Sequence, residues 1–229
     1  MTALKGSRVV VVGMAKSGVA AVELLLEQGA SVIAMDQKTV ANERLAALGL
    51  AVQPQDPAAV SGADLVVLSP GVPADADIAT AARAAGVRVV GDLELASWFL
   101  QGSTIGITGA NGKTTTTALT GHILHESGIP AQVGGNIGTP PCSMVAPSHS
   151  GQWNILELSS FQLETTETFR PDIGAALNVT PDHLDRHYTF ENYAAAKGRM
   201  FVNQRAGDFR VLNGDDATTR AYDRIGSGT

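Results

Sequence analysis

The chain has 229 residues, of which 16 are Lys or Arg and 22 are Asp or Glu, so its formal net charge is −6. Because no block of basic residues occurs, the sequence argues against non-specific binding of nucleic acid. The single cysteine, Cys142, excludes an internal disulfide and a thiolate zinc cluster. No apolar run is long enough to span a bilayer or to form the core of a signal peptide, so we expect a cytoplasmic protein with no membrane partner.

Short β-branched runs alternate with Ala- and Leu-rich stretches of helical spacing along the first 90 residues. This rhythm is typical of βαβ units on a parallel sheet. The predicted strands cover residues 8–12, 31–35, 64–68 and 87–90, and the predicted helices cover residues 19–28, 42–48 and 78–85. We expect this first unit to close near residue 93.

A second α/β series begins at residue 103. Its predicted strands cover residues 103–107, 153–158, 174–177 and 209–212, and its predicted helices cover residues 113–126 and 190–203. Because a sheet that has just gained a strand usually continues, we expect this series to be the incomplete part of a larger domain.

The strongest motif lies between the predicted strand at 103–107 and the helix at 113–126. It reads Thr108, Gly109, Ala110, Asn111, Gly112, Lys113, Thr114, Thr115. In such a phosphate-binding loop, glycines let the backbone N–H groups converge on one anion, Lys113 reaches the β- and γ-phosphates and the Thr114 hydroxyl ligates magnesium. The alternative is an ordinary Gly-rich turn that caps a helix. The strand, the lysine and the threonine pair together favour the phosphate loop.

A second Gly-rich loop follows the first predicted strand. It runs Gly13, Met14, Ala15, Lys16, Ser17, Gly18. Ala15 takes the place of the middle glycine in the dinucleotide-binding pattern G-x-G-x-x-G. Such a loop can hold a diphosphate at a helix N-terminus. Side chains at the ends of two neighbouring strands are expected to line the same crevice, and they are Asp36, Gln37, Lys38, Ser69, Pro70 and Gly71.

A carboxylate and an imidazole side chain each follow a later strand. Glu157 ends a hydrophobic strand at the carboxyl edge of the predicted sheet, where ligands bind, so we interpret it as a magnesium ligand rather than a solvent-exposed edge glutamate. His183 follows another strand and a Thr-Pro turn. The other histidines are interpreted as structural hydrogen-bonding residues.

The shortened loop T-G-x-x-G-K-T is similar to the ATP loop of Mur ligases and folylpolyglutamate synthases. Three later segments, 134–138, 156–164 and 178–186, resemble the D-glutamate-adding Mur ligases in particular. The resemblance implies an N-terminal Rossmann-like domain over residues 1–93, which binds a UDP-sugar, and a P-loop ATPase α/β domain over residues 94–229. It also implies that the amino-acid-binding C-terminal domain of the family is absent.

The activity implied by the resemblance is the ATP-dependent joining of D-glutamate to UDP-N-acetylmuramoyl-L-alanine through an acyl phosphate, in peptidoglycan precursor synthesis. The implied partners are these small molecules, ATP and two Mg²⁺ ions, and a monomer is expected. The implied catalytic residues are Lys113, Glu157, His183 and Lys197.

The resemblance also assigns ligands to residues. Thr108 to Thr115 would bind ATP, and the metal would be held by Thr114, Glu157, His183 and, if it is carbamylated, Lys197. For the sugar nucleotide it implies Gly13, Met14, Ala15, Lys16, Ser17, Gly18, Asp36, Gln37, Lys38, Ser69, Pro70, Gly71, Asn136, Ser159 and His183.

Three alternatives stay open. A folylpolyglutamate synthase shares the phosphate loop but has no use for a diphosphate-binding first unit. A nicotinamide-dependent oxidoreductase explains residues 13–18 and nothing after residue 103. The third alternative is a fragment that binds the UDP-sugar but is catalytically inactive, because no segment corresponds to the family's amino-acid domain.

Overall fold

The computed structural model describes residues 4–39 and 41–229. Within these ranges the chain forms two α/β units, each built on a five-stranded sheet. Every neighbouring pair of strands in both sheets is parallel. The predicted fold class, two successive parallel α/β domains, is confirmed.

The first unit has the strand order β3-β2-β1-β4-β5. Its central strand buries four consecutive valines, Val9 to Val12, as expected of a parallel strand covered by helices on both faces. In chain order its elements are β1 (Arg8–Val12), α1 (Lys16–Glu27), β2 (Ser31–Asp36), α2 (Glu43–Ala47), β3 (Gln53–Pro54), β4 (Leu65–Leu68), α3 (Asp77–Ala84) and β5 (Arg88–Gly91).

Helix α4 (Asp92–Ser97) connects the two units. Its Glu94 side chain is fully buried and accepts hydrogen bonds of 2.9 Å from the three backbone N–H groups of residues 167–169 and from the indole of Trp98. Burial by itself raises the pKa of Glu94, but a hydrogen bond from the Thr168 hydroxyl together with those just described outweighs it, and the pKa is lowered. The second unit is therefore fastened to the connecting helix through a buried carboxylate.

The second unit has the strand order β10-β9-β6-β8-β7. The strand that precedes the phosphate-loop motif, β6, lies at its centre. In chain order its elements are β6 (Ser103–Thr108), α5 (Lys113–Glu126), β7 (Ala131–Gly135), β8 (Trp153–Glu157), α6 (Ser160–Leu163), β9 (Ile173–Ala176), α7 (Leu184–His187), α8 (Phe190–Gly198), β10 (Phe209–Leu212) and α9 (Ala217–Ala221).

The structure departs from the sequence predictions in several elements. Strands β3 and β7 and helices α4 and α7 were not predicted. The helix predicted over residues 190–203 is wrong at its end, because α8 stops at Gly198 and a 3-10 turn, Arg199–Phe201, follows. The boundary predicted between residues 93 and 94 lies within the connecting helix α4 and stays a prediction. In the described part of the chain, no helix combines the length and the apolar character needed to cross a membrane.

Candidate active site

A cleft of about 400 Å³ lies between the two units. It opens at the carboxyl ends of β1 and β4, where the strand order of the first sheet reverses and ligands of open α/β sheets bind. The first unit contributes Gly13, Ala15, Lys16, Ser17, Asp36, Gln37, Gln55, Ser69, Pro70, Gly71, Val72, Pro73 and Ala76, and the second contributes Gly135, Asn136 and Gln162.

The loop at residues 13–18 is shaped by close backbone contact. A Cβ atom at Gly18 would lie 1.8 Å from the carbonyl oxygen of Gly13, so helix α1 could not start where it does with any other residue. That carbonyl also accepts a 2.6 Å hydrogen bond from the Ser69 hydroxyl. Helix α1 has no side-chain cap at its N-terminus, which faces the cleft. Uncapped N–H groups of a first helical turn are suited to an anion.

Asp36 fastens this loop to the end of β2. Its carboxylate accepts hydrogen bonds from the backbone N–H of Met14 at 2.6 Å and of Lys38 at 2.9 Å. Lys16 reaches across the cleft and donates to the carbonyl oxygen of Gly138 in the second unit. The loop is therefore held from both units.

Five of the residues predicted for the sugar nucleotide lie outside the main cleft. Met14 and Lys38 line an adjoining cleft of about 260 Å³, which shares Ala15 and Asp36 with the main one. Gly18 is buried beneath the loop. Ser159 and His183 line neither cleft, and the Ser159 hydroxyl instead accepts the backbone N–H of Gln162 as the N-cap of α6.

Gln162 is a cleft residue that sequence reasoning missed. Its side-chain oxygen accepts the backbone N–H of Ser159 at 3.3 Å, which completes a capping box, and its side-chain nitrogen is buried without a hydrogen-bond partner. The S-x-x-Q spacing predicts such a box and could have placed Gln162 at the start of α6. Asp92 lies beside it, and its carboxylate accepts the backbone N–H of Leu93 at 2.9 Å. Complete burial outweighs the hydrogen bonding and raises the pKa of Asp92 to about 6.

The phosphate loop lies between β6 and α5. Gly112 has a φ of 82°, a left-handed conformation that glycine adopts without strain. Asn178, just after β9, accepts the backbone N–H of Asn111 at 2.9 Å and donates to its carbonyl at 3.0 Å. Thr108 is buried and donates to the carbonyl of Leu158, while Lys113 donates to the carbonyl of Ala110 at 3.0 Å. Thr114 and Thr115 are exposed at the start of α5.

Glu157 joins the cleft to this loop. Its carboxylate, on a residue only 2% exposed, accepts the Thr114 hydroxyl at 2.8 Å and the side-chain amide of Asn136 at 3.2 Å. Asn136 lines the cleft and Thr114 belongs to the loop. Neither partner carries a positive charge, which leaves the buried carboxylate suited to a cation.

These residues fit a magnesium ion better than a metal held by protein ligands alone. Among residues 4–39 and 41–229, no three His, Cys, Asp or Glu side chains lie together as a metal-binding group. Magnesium is commonly held by one or two carboxylates, water and substrate phosphates. The Thr114 hydroxyl and the Glu157 carboxylate, side by side at a phosphate loop, are a donor set of this kind.

Lys197 lies under the phosphate loop. It is 2% exposed, donates to the carbonyl of Gly109 at 2.8 Å and places its nitrogen 4.6 Å from the centre of the Tyr193 ring. Burial, reinforced by the nearby Lys113 ammonium, lowers the pKa of Lys197 to about 7. A large fraction of this amine is therefore uncharged near neutral pH, the form that can take up carbon dioxide.

His183 lies at the N-terminus of α7 with a left-handed backbone, at a φ of 52°. Its half-exposed ring lies 4.8 Å from that of Phe161 and 6.2 Å from that of Tyr193. Tyr193 also contacts Lys197, so the structure brings His183 and Lys197 to the same aromatic side chain. The neighbouring His187 is buried, and its Nε2 lies 2.9 Å from the Ser160 hydroxyl.

Fold and site together define an α/β protein of two parallel-sheet units, each with a Gly-rich loop between its central strand and the helix that follows. Comparison with known proteins narrows this class. Residues 7–91 match the family described as Mur ligase MurD-like, N-terminal domain, and residues 107–227 match the Mur ligase middle domain. The chain belongs to the Mur ligase family.

The curated relatives include proteins named UDP-N-acetylmuramoylalanine--D-glutamate ligase. That of Solibacter usitatus is 58% identical over 220 residues, which cover 96% of this chain and 50% of the relative. That of Koribacter versatilis is 50% identical over 220 residues, which cover 93% of this chain and 49% of the relative. The chain therefore spans about half the length of the curated relatives it matches.

Solved structures share the fold at lower identity. A UDP-N-acetylmuramate:L-alanyl-gamma-D-glutamyl-meso-diaminopimelate ligase from Neisseria meningitides aligns with a TM-score of 0.63 at 18% identity, covering 97% of this chain and 77% of that one. The UDP-N-acetylmuramate-alanine ligase MurC from Thermotoga maritima aligns with a TM-score of 0.54 at 23% identity, covering 97% and 53%.

Proposed function

We propose that the chain belongs to an ATP-dependent ligase that joins D-glutamate to UDP-N-acetylmuramoyl-L-alanine during peptidoglycan precursor synthesis. Relatives named for this reaction, up to 58% identical, support the proposal. In this reaction an alanyl carboxylate oxygen attacks the γ-phosphorus of ATP and ADP leaves. The amine of D-glutamate then attacks the acyl phosphate, loses a proton and displaces phosphate.

One observation carries the proposal: Asn136, Glu157 and Thr114 form a continuous hydrogen-bonded path from the inter-unit cleft to the phosphate loop. A ligase that activates a carboxylate must bring the acceptor substrate and the γ-phosphate together. A protein that only bound a nucleotide in each unit would not need the two sites to share a carboxylate.

The roles of the phosphate-loop residues follow from charge. Lys113 is proposed to contact the transferring phosphoryl group, and residues 108–115 are proposed to surround the triphosphate. Thr114 and Glu157 would hold one magnesium ion, and His183 with Lys197 would hold a second. When bound, the ions neutralise the charge that develops as a carboxylate approaches a triphosphate.

Lys197 is proposed to act as a carbamate. The amine is buried and its pKa is lowered to about 7, so it can react with carbon dioxide. The resulting anion would approach a metal ion where an ammonium would be repelled. Tyr193 and the carbonyl of Gly109, which now contact the amine, would orient it.

The sugar nucleotide is proposed to occupy the inter-unit cleft. Its diphosphate would lie at the N-terminus of α1, against residues 13–18, and Asp36 to Lys38 with Ser69 to Gly71 would surround the uridine. Asn136 would contact the muramoyl-alanyl end within the cleft. Ser159 and His183 lie outside the cleft, so their proposed contacts are with the part of the substrate that extends beyond it. A single copy of the chain carries both the cleft and the phosphate loop, so we propose a monomer.

The direct test uses the product of the gene that encodes this chain. It is incubated with ATP, Mg²⁺, UDP-N-acetylmuramoyl-L-alanine and radiolabelled D-glutamate. We expect label in the sugar nucleotide and one phosphate released for each glutamate joined. L-Glutamate and L-lysine serve as controls that should not be joined.

Two results would contradict the proposal. One is transfer of a different amino acid in preference to D-glutamate. The other is calorimetry showing that NAD binds the inter-unit cleft more tightly than UDP-N-acetylmuramoyl-L-alanine, because the cleft would then belong to an oxidoreductase.

A further inference from the structure

The short helix α7 is bounded by two non-glycine residues with left-handed backbones. His183, before it, has a φ of 52° and Tyr188, after it, has a φ of 66°. A bulky aromatic residue at positive φ is an outlier that persists only where the surroundings hold it. The contacts of α7 must therefore fix this conformation.

Two of these contacts reach the first unit. The Arg186 guanidinium donates to the carbonyl oxygen of Val72 at 2.9 Å, and the Tyr188 hydroxyl donates to the carboxylate of Asp75 at 2.7 Å. Both acceptors lie in the segment between β4 and α3, and Val72 lines the inter-unit cleft. Helix α7 is thus attached to the wall of the proposed sugar-nucleotide site.

The same arginine contacts α6 of the second unit. It forms an ion pair with Glu164, and both side chains are largely buried. Its guanidinium carbon lies 4.8 Å from the centre of the Phe161 ring, which also packs against the ring of His183. Arg186 therefore touches the cleft wall, α6 and the aromatic neighbour of His183 at once.

We propose that Arg186 is a positioning residue that fixes His183 relative to the wall of the inter-unit cleft. The inference rests on the proposed function, which assigns His183 to the substrate and the metal. Arg186 does not line the cleft and acts through Val72 and Phe161. Only the planar fork of an arginine donates to a carbonyl and a carboxylate while it stacks on a ring, so lysine is a poor substitute.

The first test follows the His183 ring without any ligand. The chain is labelled with ¹⁵N in the histidine rings, and the His183 signal is assigned by its loss in His183→Gln. We expect Arg186→Met to shift or broaden this signal, whereas Arg44→Met, which removes an arginine from an exposed ion pair with Glu23, leaves it unchanged. An unchanged signal in Arg186→Met would overturn the proposal.

The second test is a double-mutant cycle on the affinity for UDP-N-acetylmuramoyl-L-alanine with Mg²⁺, measured by calorimetry. Arg186→Met is expected to weaken binding about 10-fold in the unmodified protein and less than about 2-fold when His183 is already alanine. Equal effects in both backgrounds would show that Arg186 does not act through His183 and would contradict the proposal.

A replacement variant and the ligand-free measurement cover two ways in which these tests could fail. If Arg186→Met lowers the melting temperature severely, Arg186→Lys replaces it, because it keeps the charge and the stem; the His183 signal should then still shift. If the unmodified protein does not bind the sugar nucleotide, the proposed function fails, while the histidine signal still decides whether Arg186 positions His183.

Discussion

The loop at residues 13–18 and the loop at residues 108–115 occupy equivalent places in their sheets. Each follows the central strand, β1 or β6, and precedes a helix. Each is also held by an Asp or Asn side chain at the end of the neighbouring strand. Asp36 accepts the N–H of Met14 in the first unit, and Asn178 accepts the N–H of Asn111 in the second.

The two loops differ in charge. The first is held by a carboxylate and lies next to the buried carboxyl group of Asp92, whereas the second is held by a neutral amide and lies over the buried amine of Lys197. A triphosphate carries more negative charge than a sugar-nucleotide diphosphate, so a carboxylate beside it is more costly. The same backbone arrangement therefore occurs with side chains of different charge, which matches the two different anions proposed for the loops.

The largest effect is expected from Lys113→Ala. The Lys113 ammonium lies at the second loop, where a positive charge directed at the transferring phosphoryl group lowers the activation barrier of phosphoryl transfer. Its removal should therefore lower the turnover rate of the gene product at least about 100-fold. Affinity for the sugar nucleotide, measured by calorimetry, should stay within about twofold. The matched control is Lys16→Ala in the first loop, which should weaken sugar-nucleotide binding instead. Near-normal turnover in Lys113→Ala would remove the second loop from the ATP site.

The next largest effect is expected from Asn178→Asp, which gives the second loop the kind of carboxylate that holds the first. The new carboxylate can still accept the N–H of Asn111, but it loses the hydrogen bond to the Asn111 carbonyl and repels the triphosphate. We expect the affinity for Mg-ATP, measured by calorimetry, to fall about 10- to 100-fold. An unchanged affinity would show that the charge of this side chain does not distinguish the loops.

Asp92 lies beneath the first loop, and its substitution Asp92→Asn is expected to raise the stability of the protein near neutral pH. Because burial raises the pKa of Asp92 from 3.8 to about 6, the folded protein binds more protons than the unfolded chain between these values. The stability that the protonated Asp92 carboxyl group contributes is fully present below pH 3.8 and is lost as pH rises through 6. The free energy of unfolding falls by at most about 3 kcal/mol over this range.

The variant should therefore melt about 5 °C higher than the unmodified protein at pH 7.5, and this difference should vanish near pH 4. Thermal denaturation followed by circular dichroism across this range checks both statements. A difference that does not depend on pH would mean that the carboxyl group is not the cause.

The smallest effect is expected from Asp36→Asn. An asparagine oxygen can still accept a backbone N–H, so the loop keeps most of its support and the affinity for the sugar nucleotide should change by less than about fivefold. Asp36→Ala, which removes both hydrogen bonds, should weaken binding more than Asp36→Asn does. Calorimetry that ranks the two variants in the opposite order would show that the carboxylate charge, and not the support of the loop, matters in the first unit.

Much of the fold follows from local pattern. Helix α5 has the predicted bounds, and the valine run of β1 is the central buried strand that its composition indicates. Strand β7 could not be predicted, because its sequence A-Q-V-G-G has little β-propensity. Its glycines are required by tertiary contact: a Cβ at Gly135 would lie 2.2 Å from the carbonyl of Glu157 in the neighbouring strand.

The candidate site likewise has parts that local sequence predicts and parts that depend on tertiary packing. The loop motifs correctly predict a Gly-rich turn between a strand and a helix at both places, because glycine spacing and a following helix are local features. Sequence spacing alone does not place Glu157 between Asn136 and Thr114, since that contact depends on the order of β6, β7 and β8 in the sheet. The inclusion of Gln162 in the cleft depends on packing between the two units and has no equivalent in a motif.

The buried carboxylate of Glu94 has a consequence for substrate selection. Because it fastens the second unit to the connecting helix, the separation between the diphosphate loop and the phosphate loop is set before any ligand binds. In the proposed function, a substrate held by its diphosphate must then be long enough for its far carboxylate to reach the γ-phosphate beside Lys113. We therefore expect sugar nucleotides with a shortened acyl arm to bind without being phosphorylated, so that the fixed spacing of the two loops selects substrates by length.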